Sequence, residues 1–421
     1  MDSIIELKNQ AEELRKNKNY SEAIKIYEKI ISKDDKDKYI NWGYASCSRK
    51  LNDVKKAFNI AQKNYLANRD YQINNNLYAW CHYDLFIKSA KSSNEKNFLK
   101  AAQKIISLTS QDKYSPYVKT VFKVISNYAN NIYNAVEILK WLEELDVNKL
   151  NDQPTRIEGK DIKSRKFESD KCKYYRTKCK ALLKLNKHRE CIDTALEAFD
   201  NLKYDDLTWI KYYCAQAYFY SENYSDAVRY LQPIYGNKKE WYVANWLMKS
   251  YDKLGDYEVM EKYAYDAYIL PGDDDKKIEF YKYTANVFNK KKDLEKTKNL
   301  IKYVYLLKKD MTDKVDNDLM HYIKVLKIDI EKIKDIKELK INIDKIFTEL
   351  KYKDQQPLKG YIKNILSNGK SGFISAGSND YYFNFRSVIS NKNQIKVGGK
   401  ANFYLEDSYD KKKNTKTKMA V

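Results

Sequence analysis

The spacing of small residues constrains this chain most. Ala11 lies 12 residues before Ala23, and Ala45 and Ala57 repeat that step, each 34 residues on. Ala79 falls 34 beyond Ala45, and Ala101 and Ala135 are again 34 apart. The 12-residue step returns at Cys179 and Cys191, Ala215 and Ala227, Met248 and Met260, and Ala285 and Thr297. A turn phrase recurs with it, as Asn19-Tyr20-Ser21-Glu22-Ala23, Glu222-Asn223-Tyr224-Ser225-Asp226-Ala227 and Leu254-Gly255-Asp256-Tyr257-Glu258-Val259. Two antiparallel helices joined by a short turn touch at one close crossing, and small side chains there let the backbones approach. Large apolar residues fill the groove around it, in the first unit Leu14, Tyr20, Ile24, Tyr27 and Ile30. One pair cannot bury its own apolar face, so pairs must stack. Only 11 Gly and 5 Pro in 421 residues agree with long, unbroken helices.

Period, small positions and the Tyr before the second helix together resemble the tetratricopeptide repeat (TPR). The resemblance covers residues 3–310 as about eight degenerate units, and 315–352 read as one further helical pair. It departs from the family pattern at the polar stretch Ser89–Asn97, which lengthens a turn, and at 150–170, where Pro154 and Gly159 interrupt the array. The resemblance implies a groove that binds a protein or peptide. Helical phase offers Asn41, Tyr44, Tyr212 and Asn245 as groove residues.

After Gln355-Gln356-Pro357 the composition changes. Six of the 11 Gly lie in the last 62 residues, and the apolar period falls from 3.6 to 2. Candidate strands are Gly360–Leu366, Gly372–Ala376, Tyr381–Phe385, Gln394–Val397 and Lys400–Leu405, with Thr417–Val421 as a final edge. Five short strands in about 60 residues fit a small barrel of the oligonucleotide-binding (OB) type. The expected fold is therefore mainly α, a TPR-like α-solenoid followed by a small all-β five-stranded barrel. The domain plan is a first helical stack over 1–150, a break or linker at 151–170, a second stack over 171–354 and the barrel over 355–421.

Lys370-Ser371-Gly372-Phe373-Ile374, followed by Asp380-Tyr381-Tyr382-Phe383-Asn384-Phe385-Arg386-Ser387-Val388, resembles the two ribonucleoprotein motifs of cold-shock and S1-like domains. Rings on a sheet face stack against unpaired bases, worth about 1–3 kcal/mol per base. Alternation puts Ser371, Phe373 and Ser375 on one face with Tyr382 and Asn384. Tyr381 and Phe383 point to the core, and Phe385 flanks the platform. Lys363, Lys370 and Arg386 are placed for phosphates. The resemblance implies binding of single-stranded RNA or DNA through Lys363, Lys370, Phe373, Tyr382, Asn384, Phe385 and Arg386. The departures are Asn364 for the family's first-strand Trp, Ser371 for its first motif aromatic and Asn384 for its His. Helical repeats ending in such a barrel also resemble components of prokaryotic conflict systems, which implies a role in defence against invading nucleic acid.

Charge points the same way. The chain has 79 Lys and Arg against 58 Asp and Glu, a net charge of +21. Lys, Asn, Ile and Tyr are all abundant, as in proteins of AT-rich genomes, so distribution matters more than the total. Residues 355–421 hold 12 Lys and Arg and 4 Asp and Glu, the densest basic segment. No secretory leader, membrane-spanning run or C-x-x-C pair is present, which suggests a cytoplasmic protein with reduced thiols. No metal or other cofactor is expected, because His is scarce and no ligand spacing recurs. Gly369-Lys370-Ser371 is no phosphate loop, since the first glycine it needs is Asn364 and a strand follows. Asp273-Asp274-Asp275 is expected to be a solvated turn or helix cap, and Lys411-Lys412-Lys413 a hairpin loop. No nucleophile–base constellation appears, so an enzyme is not expected. A pure protein-interaction scaffold is the competing reading.

Overall fold

Packing at the small positions organises the helices of the computed structural model. It describes residues 3–421 apart from 34–35, 89–94, 131, 160–161, 312–315, 332, 334, 368, 386–387, 389–394 and 411–414. Each residue of the 12-residue pairs is buried, from Ala11 and Ala23 to Ala285 and Thr297. At one crossing Cys191 Sγ donates to the Cys179 carbonyl (3.3 Å) and Cys179 Sγ to the Cys191 carbonyl (3.8 Å), so the two backbones approach closely there.

The chain divides into two units, Met1–Ser221 and Glu222–Val421. The first holds the helix pairs Ile4–Lys16 with Tyr20–Ile31, Lys38–Lys50 with Val54–Ala67, Gln72–His82 with Glu95–Leu108, Tyr117–Asn130 with Ala135–Leu142, and Asp170–Lys184 with His188–Asn201, then Thr208–Tyr220. The second holds Tyr224–Asn237, the pairs Trp241–Leu254 with Tyr257–Ile269 and Ile278–Lys290 with Leu294–Met311, the helices Asn317–Val325 and Ile336–Tyr352, and a sheet. These last two helices are not the further pair expected over 315–352, because Ile336–Tyr352 packs chiefly on Leu294–Met311 and Tyr257–Ile269. Among the described residues, no helix is long and apolar enough to cross a membrane.

Three local features differ from the sequence expectation. Residues 151–170 contain an antiparallel hairpin, β1 (Thr155–Gly159) and β2 (Ile162–Phe167), in which Thr155 pairs with Phe167 and Gly159 with Ile162. Of the polar stretch Ser89–Asn97, residues 89–94 lie outside the described residues and Glu95–Asn97 are already helical. Asp274 is no solvated turn residue. It accepts from the Tyr281 hydroxyl, the Tyr303 hydroxyl (2.6 Å) and the Lys340 ammonium (2.8 Å), which joins its turn to the last helix.

The C-terminal sheet has six strands, β3 (Leu358–Ile365), β4 (Ser371–Ala376), β5 (Asn379–Asn384), β6 (Lys400–Phe403), β7 (Leu405–Asp410) and β8 (Thr415–Ala420). Their order is β6-β3-β4-β5-β8-β7, with only β5 and β8 parallel. Neighbouring strands lie about 4.8 Å apart, so the ends of a flat six-stranded sheet would be roughly 24 Å apart. Here the end strands β6 and β7 are joined through the single residue Tyr404, so the sheet curls back on itself. The curl encloses Ile362, Ile374, Phe383, Phe403 and Ala420.

Two strand expectations are corrected. The anticipated strand Gln394–Val397 is absent over 395–397, and 394 lies outside the described residues. Gly398, at φ +84, turns the chain so that pairing with β3 starts only at Gly398-Gly399. The anticipated strand Lys400–Leu405 breaks at Tyr404, whose N–H and carbonyl both pair with Val421 (2.9 and 3.0 Å). The final segment is no free edge either, since β8 pairs with both β5 and β7. Lys411–Lys413 lie outside the described residues.

Candidate nucleic-acid interface

The outward face of the curled sheet is built by four strands. Phe373 on β4 stands directly opposite Tyr382 on β5, their rings 5.8 Å apart and nearly perpendicular. Asn364 extends that row on β3 and Met419 on β8. The next row runs Tyr361, Ser375, Asp380. Tyr361 is 53% exposed, and Phe373 and Tyr382 are half-buried.

Close approach fixes this register. A Cβ on Gly372 would stand 2.3 Å from the Asn364 carbonyl oxygen and 2.7 Å from the Phe383 ring. With glycine there, β3 and β4 come together and β3 accommodates one extra residue, Lys363, as a bulge between Ile362 and Asn364. The turn into β5 needs Gly377, at φ +60.

Of the anticipated site residues, Phe373 and Tyr382 are brought together on the outer face. Asn384 stands opposite Ser371, one row along. Lys370 is exposed beside Gly369 at the start of β4, and its carbonyl accepts from the Phe385 N–H (2.9 Å). Lys363 is exposed, but its ammonium pairs with Asp380. That hydrogen bond raises the lysine pKa and lowers the aspartate's. Phe385 does not join the platform. It lies parallel to Phe383 at 5.6 Å and packs against the core. Ser371 and Ser375 hold the outward register but are buried, because short side chains sink beneath flanking rings. Arg386 lies outside the described residues. Tyr361 was missed by sequence reasoning, although its place between Gly360 and Ile362 in an alternating strand marked it as outward.

The sheet is anchored to the last helix. The Tyr352 and Tyr404 rings stack at 4.2 Å, and the Tyr352 hydroxyl donates to Glu406 (2.7 Å), which also pairs with Lys351. Burial alone would push the Glu406 carboxyl up, but these two donors hold it below the ordinary range. The break at Tyr404 therefore serves as the attachment point.

Among the anticipated groove residues, Asn41 is half-buried and the buried Tyr44 donates to Glu28 (2.7 Å). Tyr212 lies between Trp209 and Tyr213. Asn245 is buried, and its Oδ1 has no hydrogen-bond partner among the described residues. Among the described residues, no group of three or more His, Cys, Asp or Glu is placed to hold a metal ion.

No protein-family model matches the sequence, and no curated protein does. Solved structures similar to this chain include a tetratricopeptide repeat protein from Parabacteroides merdae, at 12% identity and TM-score 0.27 over 59% of this chain and 84% of that one. The human IFIT1 dimer with m7Gppp-AAAA is similar at 13% identity and TM-score 0.35, over 83% of this chain and 73% of that one. The APC/C hetero-tetramer Cut9-Hcn1 is similar at 12% identity and TM-score 0.33, over 83% and 79%.

Proposed function

We propose that this chain is a non-enzymatic adaptor that holds single-stranded RNA or DNA on its C-terminal sheet and a protein partner on its helix pairs. The observation that carries the reading is the Phe373–Tyr382 pair on the outer sheet face, with Tyr361 exposed beside it. The strand order supports it. With β6 and β7 taken as halves of one strand, the pairing suits a five-stranded OB barrel of the cold-shock kind. A role in anti-invader defence follows from the family resemblance alone.

The competing reading is a scaffold whose barrel binds only protein. It is favoured by the pairing of Lys363 with Asp380, and by Asn364, Ser371 and Asn384 at platform positions. Fluorescence anisotropy of the full chain against a short labelled single strand, at several salt concentrations, separates the two. Phe373→Ala or Tyr382→Ala should cost about 1–3 kcal/mol of binding and leave the salt slope unchanged, because a ring releases no counterions. Lys370→Ala should flatten the slope by about 0.7. Asp380→Asn should free Lys363 and tighten binding. Ring variants that bind like the unmodified chain would remove the sheet from the interface, and a full chain that binds no strand at all would leave the protein scaffold.

A further inference from the structure

Charge on the helices of the last repeats of the first unit, from Tyr117 on, is segregated by layer. The helices Tyr117–Asn130, Asp170–Lys184 and Thr208–Tyr220 open three successive repeats and together carry nine Lys or Arg and one acid, Asp170. The helices that back the first two, Ala135–Leu142 and His188–Asn201, carry two Lys or Arg and five acids. A general drift toward lysine would load both layers equally.

The excess is concentrated on one helix face. Lys173, Arg176, Lys180 and Lys184 follow at steps of three, four and four, a stripe about 16 Å long on the helix Asp170–Lys184. The stripe runs among aromatic rings. Lys173 lies 4.4 Å from the Phe122 ring and Lys180 lies 4.8 Å from the Tyr133 ring. Acids answer only its N-terminal end. Arg176 is held by Glu168 (2.6 and 2.8 Å), Asp170 lies near Lys173, and Asp205 and Asp206 share a cavity wall with Arg176. Lys180 and Lys184 have no ion-pair partner among the described residues. Burial first, and then the charges of Arg176 and Lys184, hold the Lys180 ammonium below its ordinary pKa.

At that unanswered end a cavity of about 820 Å³ opens, lined by Tyr128, Tyr133, Val136 and Lys184. Ile132 and Val136 on its rim are 88% and 60% exposed. The Tyr133 hydroxyl is buried with no hydrogen-bond partner among the described residues. Cations beside a largely apolar, ring-lined cavity suit a nucleotide, which joins a flat base to a phosphate. An acidic peptide would answer the charge and leave the cavity unused.

We propose that this layer is a second nucleic-acid site, separate from the sheet, where a single strand sets phosphates on Lys180 and Lys184 and a base in the Tyr128–Tyr133 cavity. The site stands whether or not the sheet binds. Its test uses the full chain and a 4-thiouridine-labelled single strand, photo-crosslinked and mapped by peptide mass. Crosslinks are expected within 117–136 and 170–185. In a Phe373→Ala/Tyr382→Ala background, Lys180→Glu/Lys184→Glu should weaken binding by about tenfold or more and erase them. The control Lys50→Glu/Lys55→Glu makes the same charge change on exposed residues elsewhere in the unit and should have a much smaller effect. Should the glutamates disturb folding, Lys180→Gln/Lys184→Gln gives the same contrast at lower charge. A stripe variant that behaves like the control would overturn the proposal. So would a poly-glutamate peptide that binds as tightly as the strand while crosslinks are absent there, which would assign the face to an acidic protein. Crosslinks only within 358–420 would sink this site and leave the sheet, and the reverse pattern would sink the sheet and leave this site.

Discussion

His82 shows how one side chain can carry a pH dependence. It is buried with neither ring nitrogen hydrogen-bonded among the described residues, in a box of Phe58 (4.9 Å), Tyr78 (4.6 Å) and Phe86 (5.7 Å). Burial first, and the Lys104 charge second, lower its pKa to about 4. The unfolded chain takes up this proton near pH 6.5 and the folded one only near 4. The stability that depends on a neutral His82 is therefore complete above pH 6.5 and lost as pH falls toward 4, on the order of 3 kcal/mol. His82→Phe, which suits the aromatic box, should flatten denaturant-measured stability between pH 6.5 and 4.5. An unchanged slope would place the dependence on other groups. At the sheet, alternation was enough to place Phe373 and Tyr382 outward and Phe383 inward. Lys363 and Phe385 were harder to place, because a bulge and an inward turn depend on contacts with Asn364 and Phe383 that strand periodicity does not encode.

A single backbone device recurs among the helix pairs. Lys18, Asn52, Asn186, Glu222, Gly255 and Lys292 all have positive φ, and each follows its repeat's first small position by seven residues. At five of these turns the next residue's N–H reaches back five positions along the chain's helix end, as Asp53 to Ser48 (2.9 Å) and Asp293 to Phe288 (3.0 Å) do. Only Gly255 takes the left-handed conformation without penalty, and for the others it costs about 1–2 kcal/mol, partly offset by the extra freedom glycine has when unfolded. Lys292→Gly should thus raise stability by up to about 1 kcal/mol in urea titration. A loss of stability would mean that the lysine side chain contributes more than the strain removes. The 34-residue period and the turn phrases made the pairs and their turns legible, but not the left-handed residue within each turn, because Lys and Glu are not the residues that usually adopt it. The hairpin at 155–167 was equally hidden, since Pro154 and Gly159 read as interruption rather than as strand boundaries.

All six cysteines belong to the first unit and all are buried, so their chemistry reports on that unit alone. Burial pushes Cys47 up to about 11 and Cys81 and Cys172 up to about 12. A thiol reagent should label them slowly in native buffer, at rates set by local opening, and label six promptly in denaturant. Rapid native labelling would contradict this packing. The sequence by itself determined the helix-pair architecture, the change to strands after 357 and the ring pair on one sheet face. Each is a periodicity, repeated often enough that no single substitution conceals it. Tertiary structure decided the rest. The curl closed through Tyr404, the bulge that set Lys363 against Asp380 and the gathering of Lys180 and Lys184 around Tyr133 join residues by packing between elements, and side-chain pattern along one element carries no record of its neighbours.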